Sequence, residues 1–556
     1  MSSEDLELFN PSVDELATLV EECARAGKQN IARFIEPAQG TLRRSTSKRH
    51  HIIFGRRGSG KSSLLLKSAD ELITKGHPVA FVDIEPFKGH QYPDIIISVL
   101  LATFKKFKNW LDQCKLDTKS KRLWYTLFIA KEKTDIIADK EKLLDLLNSE
   151  IEQLAKQLHY SDNVPLRSKT TQDERNLKSG NISFGYSIVD SRLETSIAKA
   201  VESNKAIEFE EEFKRNKKDF LLRKIIDYQA IFNQLYLIKK LDSFLFLDDL
   251  YHIIRDDQPN LIDYFHKIAK GNNLWIKIAT IRNRTSWYIH TPQPIGVKIG
   301  DDIEEINLDL TLEKFSTLKE FLKTILDIYI KECKAPPLSA IIIDSGIDRL
   351  VLSSGGVARD FLGLFRRSID EARERLKRSN YQHPRGDKIG AEDVNVAAGN
   401  YGELKREEFQ RDTLEDRKSL EECYNRIRSF CLDETKRNIF LVDQGLTGND
   451  IDLLQELLDL RLLHQIRSRV TVSSKPGKIY KSYLLDVSQY TGSRARRDVE
   501  MIDFWKDSEK EKIRRTSSIY NPVEIGHLQK NSTPVKQKNV SKDSKEEDSQ
   551  QMRLKI

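Results

Sequence analysis

The run from Gly55 to Ser63, G-R-R-G-S-G-K-S-S, constrains this chain more than any other stretch. It fits the pattern G-x-x-x-x-G-K-[ST] through Gly55, Gly60, Lys61 and Ser62. His51-Ile52-Ile53-Phe54 in front reads as a short buried strand, and Leu64-Leu65-Leu66 behind reads as the first turns of a helix. Glycines let backbone N–H groups close around phosphate oxygens where a side chain would clash. The helix start adds the positive end of its dipole. On this reading Gly55, Arg56, Gly58, Ser59, Gly60, Lys61, Ser62 and Ser63 form a cradle for the phosphates of a nucleotide. Lys61 reaches the outer phosphates, and Ser62 holds Mg²⁺ through its hydroxyl. The alternative is a chance match in a Gly/Ser turn, and the strand-then-helix context argues against it.

Phe244-Leu245-Phe246-Leu247-Asp248-Asp249 supplies the other half of such a site: an apolar strand ending in two acids. Asp248 would hold Mg²⁺ through Ser62 or water, and Asp249 would orient or deprotonate the attacking water. Alone the pattern is weak, because many strands end in acids; following the cradle in this order it is specific. Val79 to Glu85 reads as another buried strand, with Asp83 and Glu85 at its ligand-facing end or merely solvated there. A third strand, Leu274 to Thr280, runs into Ile281-Arg282-Asn283-Arg284. A polar residue at this point would sit beside the γ-phosphate, with Thr280, Arg282 and Asn283 as candidates and Asn283 assigned to the nucleotide. Arg282 and Arg284 could instead reach a neighbouring subunit or form a plain basic loop. Further on, Gly355-Gly356 breaks the chain and opens a helix whose first turn carries Arg359. In ring-type ATPases an arginine there closes a helical lid onto the γ-phosphate; a surface pair with Asp360 or Glu371 is the other reading.

The chain has 556 residues, too many for a single core, which sets a prior of two to four domains. The net charge of +7 is small for this length, so only local clustering bears on nucleic acid. Five scattered cysteines without a C-x-x-C pair read as reduced thiols of a cytoplasmic protein, not as a disulfide framework or zinc site. No apolar run is long enough to span a membrane. The acidic start, Met1 to Asn10, lacks the pattern of a signal peptide.

The division expected is an N-terminal helical segment (1–45), an ATPase core (46–310), a helical lid (311–412), a winged helix (413–505) and a disordered basic and polar tail (506–556). Lys61 and Asp248 lie much further apart than a compact core needs, so a helical insertion spans about 112–240. Ile137, Leu144, Leu147, Ile151, Leu154 and Leu158 make a short heptad seam there. It reads as a projecting arm with its tip near Lys169 to Gly185, or as a subdomain packed on the core. From Leu414 to Tyr490 the order helix, strand, helix, two strands is that of a winged helix. Between Arg461 and Leu485 stand six Lys/Arg and no acid. Arg467, Arg469, Lys475, Lys478 and Lys481 are the candidate contacts to a DNA backbone. The helix that would read bases carries Asp450, Asp452, Glu456 and Asp459, which a DNA groove would repel. Either only the wing touches DNA, or the module packs on the ATPase as a clamp.

Taken together, this motif order resembles the origin-recognition-complex-type AAA ATPases and their prokaryotic relatives, over roughly Ile52 to Trp505. The likeness is strongest to a prokaryotic branch with sequences like L-D-D-L-Y-H-I, A-T-I-R-N-R-T and G-G-V-A-R-D-F. It implies an α/β fold: a three-layer P-loop AAA-type core with helical insertion, helical lid and C-terminal winged helix. It also implies ATP and Mg²⁺ as ligands and slow hydrolysis, with Lys61 and Ser62 on phosphate and metal, Asp248 assisting the metal and Arg359 as lid sensor. Many AAA ATPases have Glu after the metal-binding Asp, where this chain has Asp249. Signalling ATPases of the STAND class, which often work as nucleotide-locked switches, also commonly carry Asp-Asp. The expectation is an ATPase that couples nucleotide state to duplex DNA or to assembly as a homo- or hetero-oligomer. Its rival is a nucleotide-gated switch in prokaryotic signalling or antiviral defence, with the arm contacting an effector protein. A P-loop kinase or metabolic transferase fits less well, since it has no use for the lid and winged helix.

Overall fold

The structure is a computed structural model that describes residues 6–114, 126–159, 216–379, 386–412, 417–492, 495–496, 498–515 and 518–522. The chain opens with α1 (Pro11–Glu22) and the short α2 (Thr41–Ser45). It then enters an alternation of strands and helices: β1 (His51–Phe54), α3 (Lys61–Thr74), β2 (Val79–Asp83) and α4 (Asp94–Gln113). The helices α5 (Thr126–Leu158) and α6 (216–239) come next. The alternation resumes with β3 (Ser243–Asp248), α7 (Gln258–Ala269) and β4 (Leu274–Thr280). A small hairpin, β5 (Tyr288–Ile289) and β6 (Ile295–Gly296), precedes β7 (Glu304–Asn307).

Strand–helix alternation without hairpin turns requires crossover connections, and the sheet is accordingly parallel. Its order is β2-β3-β4-β1-β7. Successive strand residues point to opposite faces and are buried on both. Ile52, Phe54, Leu245 and Leu247 face the layer that holds α4 and α7. Ile53, Phe244 and Phe246 face α3. The result is the three-layer core expected of a P-loop ATPase. Its register pairs Phe54 with Thr280 and Asp83 with Asp248, so the ends of β1, β4, β3 and β2 fall on one edge.

The heptad seam is present in α5, but its described part faces inward. Leu147 and Leu154 are fully buried in the core that also contains Phe104 of α4 and Tyr228 of α6. The ammonium of Lys224 on α6 pairs with the buried Glu150 at 2.6 Å. This end of the insertion is a packed helical layer. The expected tip, Lys169 to Gly185, lies outside the described residues.

A second body carries α8 (Phe315–Cys333), α9 (Asp344–Ser354), α10 (Ala358–Arg378) and α11 (Ala391–Asp412). It continues through α12 (Arg417–Ser429), β8 (Ile439–Asp443), α13 (Asn449–Asp459), β9 (Leu463–Thr471) and β10 (Ile479–Leu485). These last strands form an antiparallel sheet of order β8-β10-β9, so the expected helix–strand–helix–hairpin order of the C-terminal module is present. One continuous hydrophobic core runs through the lid and this module, and it also takes Val13, Leu16 and Val20 of α1. The N-terminal segment is therefore joined to the lid by α1, which packs on α8 and α10.

The tail does not begin at residue 506. Leu441 N–H donates to Ser518 O and Tyr520 N–H donates to Leu441 O, each at 2.8 Å, while Ile513 and Tyr520 are buried. Two apolar anchors in a Lys- and Ser-rich stretch suffice to hold it against β8, and composition averages them away. Residues 523–556 lie outside the described residues. Among the described residues no helix is long and apolar enough to cross a membrane.

Candidate functional site

The edge of the sheet where β1, β3 and β4 end is the site. Gly58 and Gly60 have φ of +86° and +96°, conformations that an L side chain rarely adopts. A Cβ on Gly55 would strike Ser59 Oγ, and one on Gly58 would come within 2.8 Å of Arg359 Cβ. Beside Gly60 there is open space. Ser59 Oγ is buried there without a hydrogen-bond partner. A phosphate group fits this cradle: the backbone is curled around a gap and a polar atom is left unsatisfied beside it.

Lys61 is buried at the first position of α3. Its ammonium donates to Gly55 O at 2.9 Å and to Arg56 O at 3.2 Å. Burial lowers its pKa, with Asp249, Asp309 and Asp248 acting in the other direction. The Tyr251 ring lies 5.8 Å away. Ser62 lies near enough to the Asp248 carboxylate to draw its pKa down, so the two expected Mg²⁺ holders stand close together. Burial, and then the neighbouring Asp249, raises the Asp248 pKa. A divalent cation held by Ser62, Asp248 and phosphate oxygens would supply the missing positive charge and polarise the phosphate.

Asp249 sits in the left-handed region at φ +56°. That conformation turns the chain out of β3 into the short turn Leu250–His252, and Asp tolerates it better than most residues. Its pKa is raised by burial, with Lys61 and His252 acting in the opposite direction. Asp83 and Glu85 stand exposed nearby, close enough to add to the negative field on Asp249.

Arg359 is where the Gly-Gly break predicts. Gly355 and Gly356, at φ +57° and +84°, end α9 and start α10. The Arg359 N–H donates to Gly58 O at 3.3 Å. Its guanidinium Nε donates to Ala24 O at 3.0 Å, which ties it to the N-terminal segment.

Two expected nucleotide contacts are placed otherwise. Arg56 turns away from the cradle. Its N–H and Nε donate to Asp309 at 2.8 and 3.2 Å, and its Nη2 donates to Leu310 O and Gly355 O at 3.0 and 3.1 Å. A buried guanidinium needs several acceptors, and the lid linker supplies them. Asn283 is turned to the C-terminal module. Its N–H donates to Asp459 at 3.2 Å and its side-chain amide to Gln455 O at 3.4 Å. Thr280 is also withdrawn, bonded to Thr285 Oγ1 at 2.5 Å. Arg282 pairs with Glu305 inside the same chain and covers the Phe54 ring. Asp309, Tyr251 and Asp459 were not foreseen, since no spacing rule links them to the cradle.

The basic hairpin is partly exposed. Arg469 and Lys475 are open to solvent, Lys478 pairs with Asp443 at 2.9 Å, and Arg467 and Lys481 are half-buried. Arg467 lines a pocket with Phe315, Phe504 and Trp505. The acids of α13 do not face outward as a set: Asp450 pairs with Arg426, Glu456 faces Arg255, and Asp459 is buried against Asn283. In this structure α13 packs on residues 281–284 of the ATPase core through Gln455 and Asp459, while its Asp452 stays exposed.

Asp459 carries a prediction. Burial and Asp309 push its pKa up to about 7, partly offset by Asn283 and Arg56. The unfolded chain ionises this group near 4, so the folded state binds the extra proton between about pH 4 and 7. The ionisation penalty is complete above pH 7. Asp459→Asn, which keeps an acceptor for Asn283, is expected to raise the melting temperature at pH 8, with the gain vanishing towards pH 4. Scanning calorimetry across that range checks it; equal gains at both pH values would contradict it.

Among solved structures the chain is similar to a Walker-type ATPase of Pyrococcus abyssi, at 12% identity and a TM-score of 0.36, over 81% of this chain and 93% of that one. It is similar to the Orc1 protein of Aeropyrum pernix, solved in complex with DNA, at 10% identity and 0.33, over 87% and 96%. It is also similar to the Cdc6 protein of Pyrobaculum aerophilum, at 10% identity and 0.28, over 82% and 88%. No family model and no curated protein matches the chain. These are likenesses of arrangement at low identity. What makes this a P-loop ATPase fold is the strand order and the cradle described above.

Proposed function

We propose that this chain is an AAA-type ATPase that binds ATP with Mg²⁺, hydrolyses it slowly, and couples the nucleotide state to association with duplex DNA or to assembly. The observation that carries the proposal is the buried Lys61 within the cradle formed by left-handed Gly58 and Gly60, at the sheet edge where Asp248 ends β3 near Ser62. That arrangement has two metal holders, one phosphate cation and a strand-end acid, Asp249, for the attacking water. Slow turnover follows from Asp249, whose side chain is one methylene shorter than Glu. The exposed Arg469 and Lys475 at the hairpin support a backbone contact to DNA.

A second reading is a nucleotide-gated switch acting on a protein partner. The observation that favours it is α13 docked on the ATPase core through Gln455 and Asp459, which engages part of the helix that would otherwise read bases.

Hydrolysis measured with and without duplex DNA separates the two. The first reading expects stimulation by DNA that is salt-sensitive and lost on joint neutralisation of Arg467, Arg469, Lys475 and Lys478. Turnover indifferent to DNA, with oligomers that form only with ATP, would favour the switch. No hydrolysis and no nucleotide binding under any condition would sink both.

A further inference from the structure

Residues 281–284 leave β4 at the edge of the phosphate cradle and are gripped from outside the ATPase core. Asn283 is held twice by α13, through the Asp459 carboxylate at 3.2 Å and the Gln455 carbonyl at 3.4 Å. Arg255, just beyond Asp249 in sequence, faces Glu456 of the same helix at 3.8 Å. Gln455, Glu456 and Asp459 lie within one turn, so a single helix face makes all three contacts. The same body also touches the cradle on its other side. There Arg359 N–H meets Gly58 O, and Arg56 reaches Gly355 O. The lid and C-terminal module thus straddle the phosphate site as one packed unit.

We propose that α13 is a nucleotide-gated latch: it holds Asn283 while no γ-phosphate is present and lets go when ATP claims that residue. The proposal rests on the reading of this chain as an ATP-binding protein with Asn283 at the γ-phosphate end. The competition follows from the groups involved. Asn283 has one side-chain amide, and its present acceptor is a neutral carbonyl at a long 3.4 Å. A phosphate oxygen is charged and accepts more strongly. Asp459 stands close enough to Asp309 and Arg56 to feel both charges, so a triphosphate brings further negative charge towards an acid already buried. ADP lacks the γ-phosphate and leaves the latch closed. Because α13 shares its core with the lid and with β8, β9 and β10, release at Asn283 removes one hold on the whole unit, leaves Arg255–Glu456 and Arg56–Gly355 as the others, and favours a turn about the Arg359–Gly58 contact. That motion carries the basic hairpin with it.

The test uses the full chain with a non-hydrolysable ATP analogue and with ADP, each with Mg²⁺. Asp459→Ala removes one hold on Asn283. It is expected to tighten the ATP analogue about five- to tenfold, the worth of one hydrogen bond, and to leave ADP affinity within about twofold. Hydrogen exchange on the unmodified chain covers the case of a variant that folds poorly. Amides of α13 are expected to exchange about tenfold faster with the ATP analogue than with ADP. If both nucleotides bind while α13 stays equally protected, the latch is wrong and the nucleotide reading stands. If neither nucleotide binds, the nucleotide reading fails and takes the latch with it.

Discussion

Lys61→Ala abolishes measurable nucleotide binding: the expected loss is more than about 100-fold in ATP affinity, or roughly 3 kcal/mol. The ammonium is buried, and its present acceptors are the carbonyls of Gly55 and Arg56 in the cradle itself. A phosphate oxygen arriving in the cradle would replace two neutral acceptors with charged ones, so the lysine's contribution is realised only with ligand bound. Alanine removes the cation and its two hydrogen bonds inside the cradle, while the left-handed turns at Gly58 and Gly60 keep their glycines. The matching substitution is Asp249→Asn. Asn accepts the left-handed conformation that this position requires, so the backbone is not disturbed. It retains nucleotide binding and lowers turnover by about 100-fold or more, the range for loss of a positioned base. Titration with a fluorescent ATP analogue and a phosphate-release assay check the pair. Binding retained in Lys61→Ala, or turnover retained in Asp249→Asn, would contradict the site.

The site was legible where local chemistry decides it. Gly55 to Ser63 and Asp248-Asp249 stand out because the proposed phosphate cradle and metal acid would need particular residues at particular chain positions, and the parallel order of β1, β4 and β3 brings those residues to one edge. The heptad seam of α5 was legible as a seam, but period alone does not say what covers it; α4 and α6 do. The partners that Arg56 and Asn283 hold in this structure were hidden for a related reason. Each was assigned to the nucleotide from its place in a motif, while its hydrogen bonds run to Asp309, Gly355 and α13, which lie far away in sequence. The acids of α13 were visible as an anomaly for a DNA-reading helix. Only the fold shows that Asp459 packs against residues 281–284, Glu456 against Arg255 and Asp450 against α12.

Asp486→Ala is expected to destabilise the chain by on the order of 3 to 5 kcal/mol, the cost of breaking a buried ion pair from one side. Asp486 is almost wholly buried. It accepts from Lys405 at 2.7 Å, His464 Nε2 at 2.9 Å and the Ser488 N–H at 3.1 Å. Burial alone would raise its pKa, but Lys405 and His464 outweigh this and hold it well below the usual carboxylate range. Its stabilising charge therefore persists at neutral pH and is lost only in strong acid. Lys405 lies between two carboxylates, with Asp360 at 3.9 Å on its other side, and Asp360 in turn binds Arg461 and the Tyr401 hydroxyl. Removing Asp486 leaves the buried Lys405 with Asp360 as its remaining carboxylate, at 3.9 Å. Lys405→Met combined with Asp486→Leu should recover much of the loss, because both charges then disappear together. The consequence reaches the cradle. The His464 ring packs against Gly355, so closely that a Cβ on that glycine would collide with it, and the Gly355 carbonyl receives Arg56. Loosening His464 should therefore weaken ATP binding as well as lower the denaturation midpoint. Denaturant titration and ATP affinity, measured together on Asp486→Ala and the double variant, check this. A lowered midpoint with unchanged ATP affinity would make the charge ladder a support of the lid alone, with no bearing on the phosphate site.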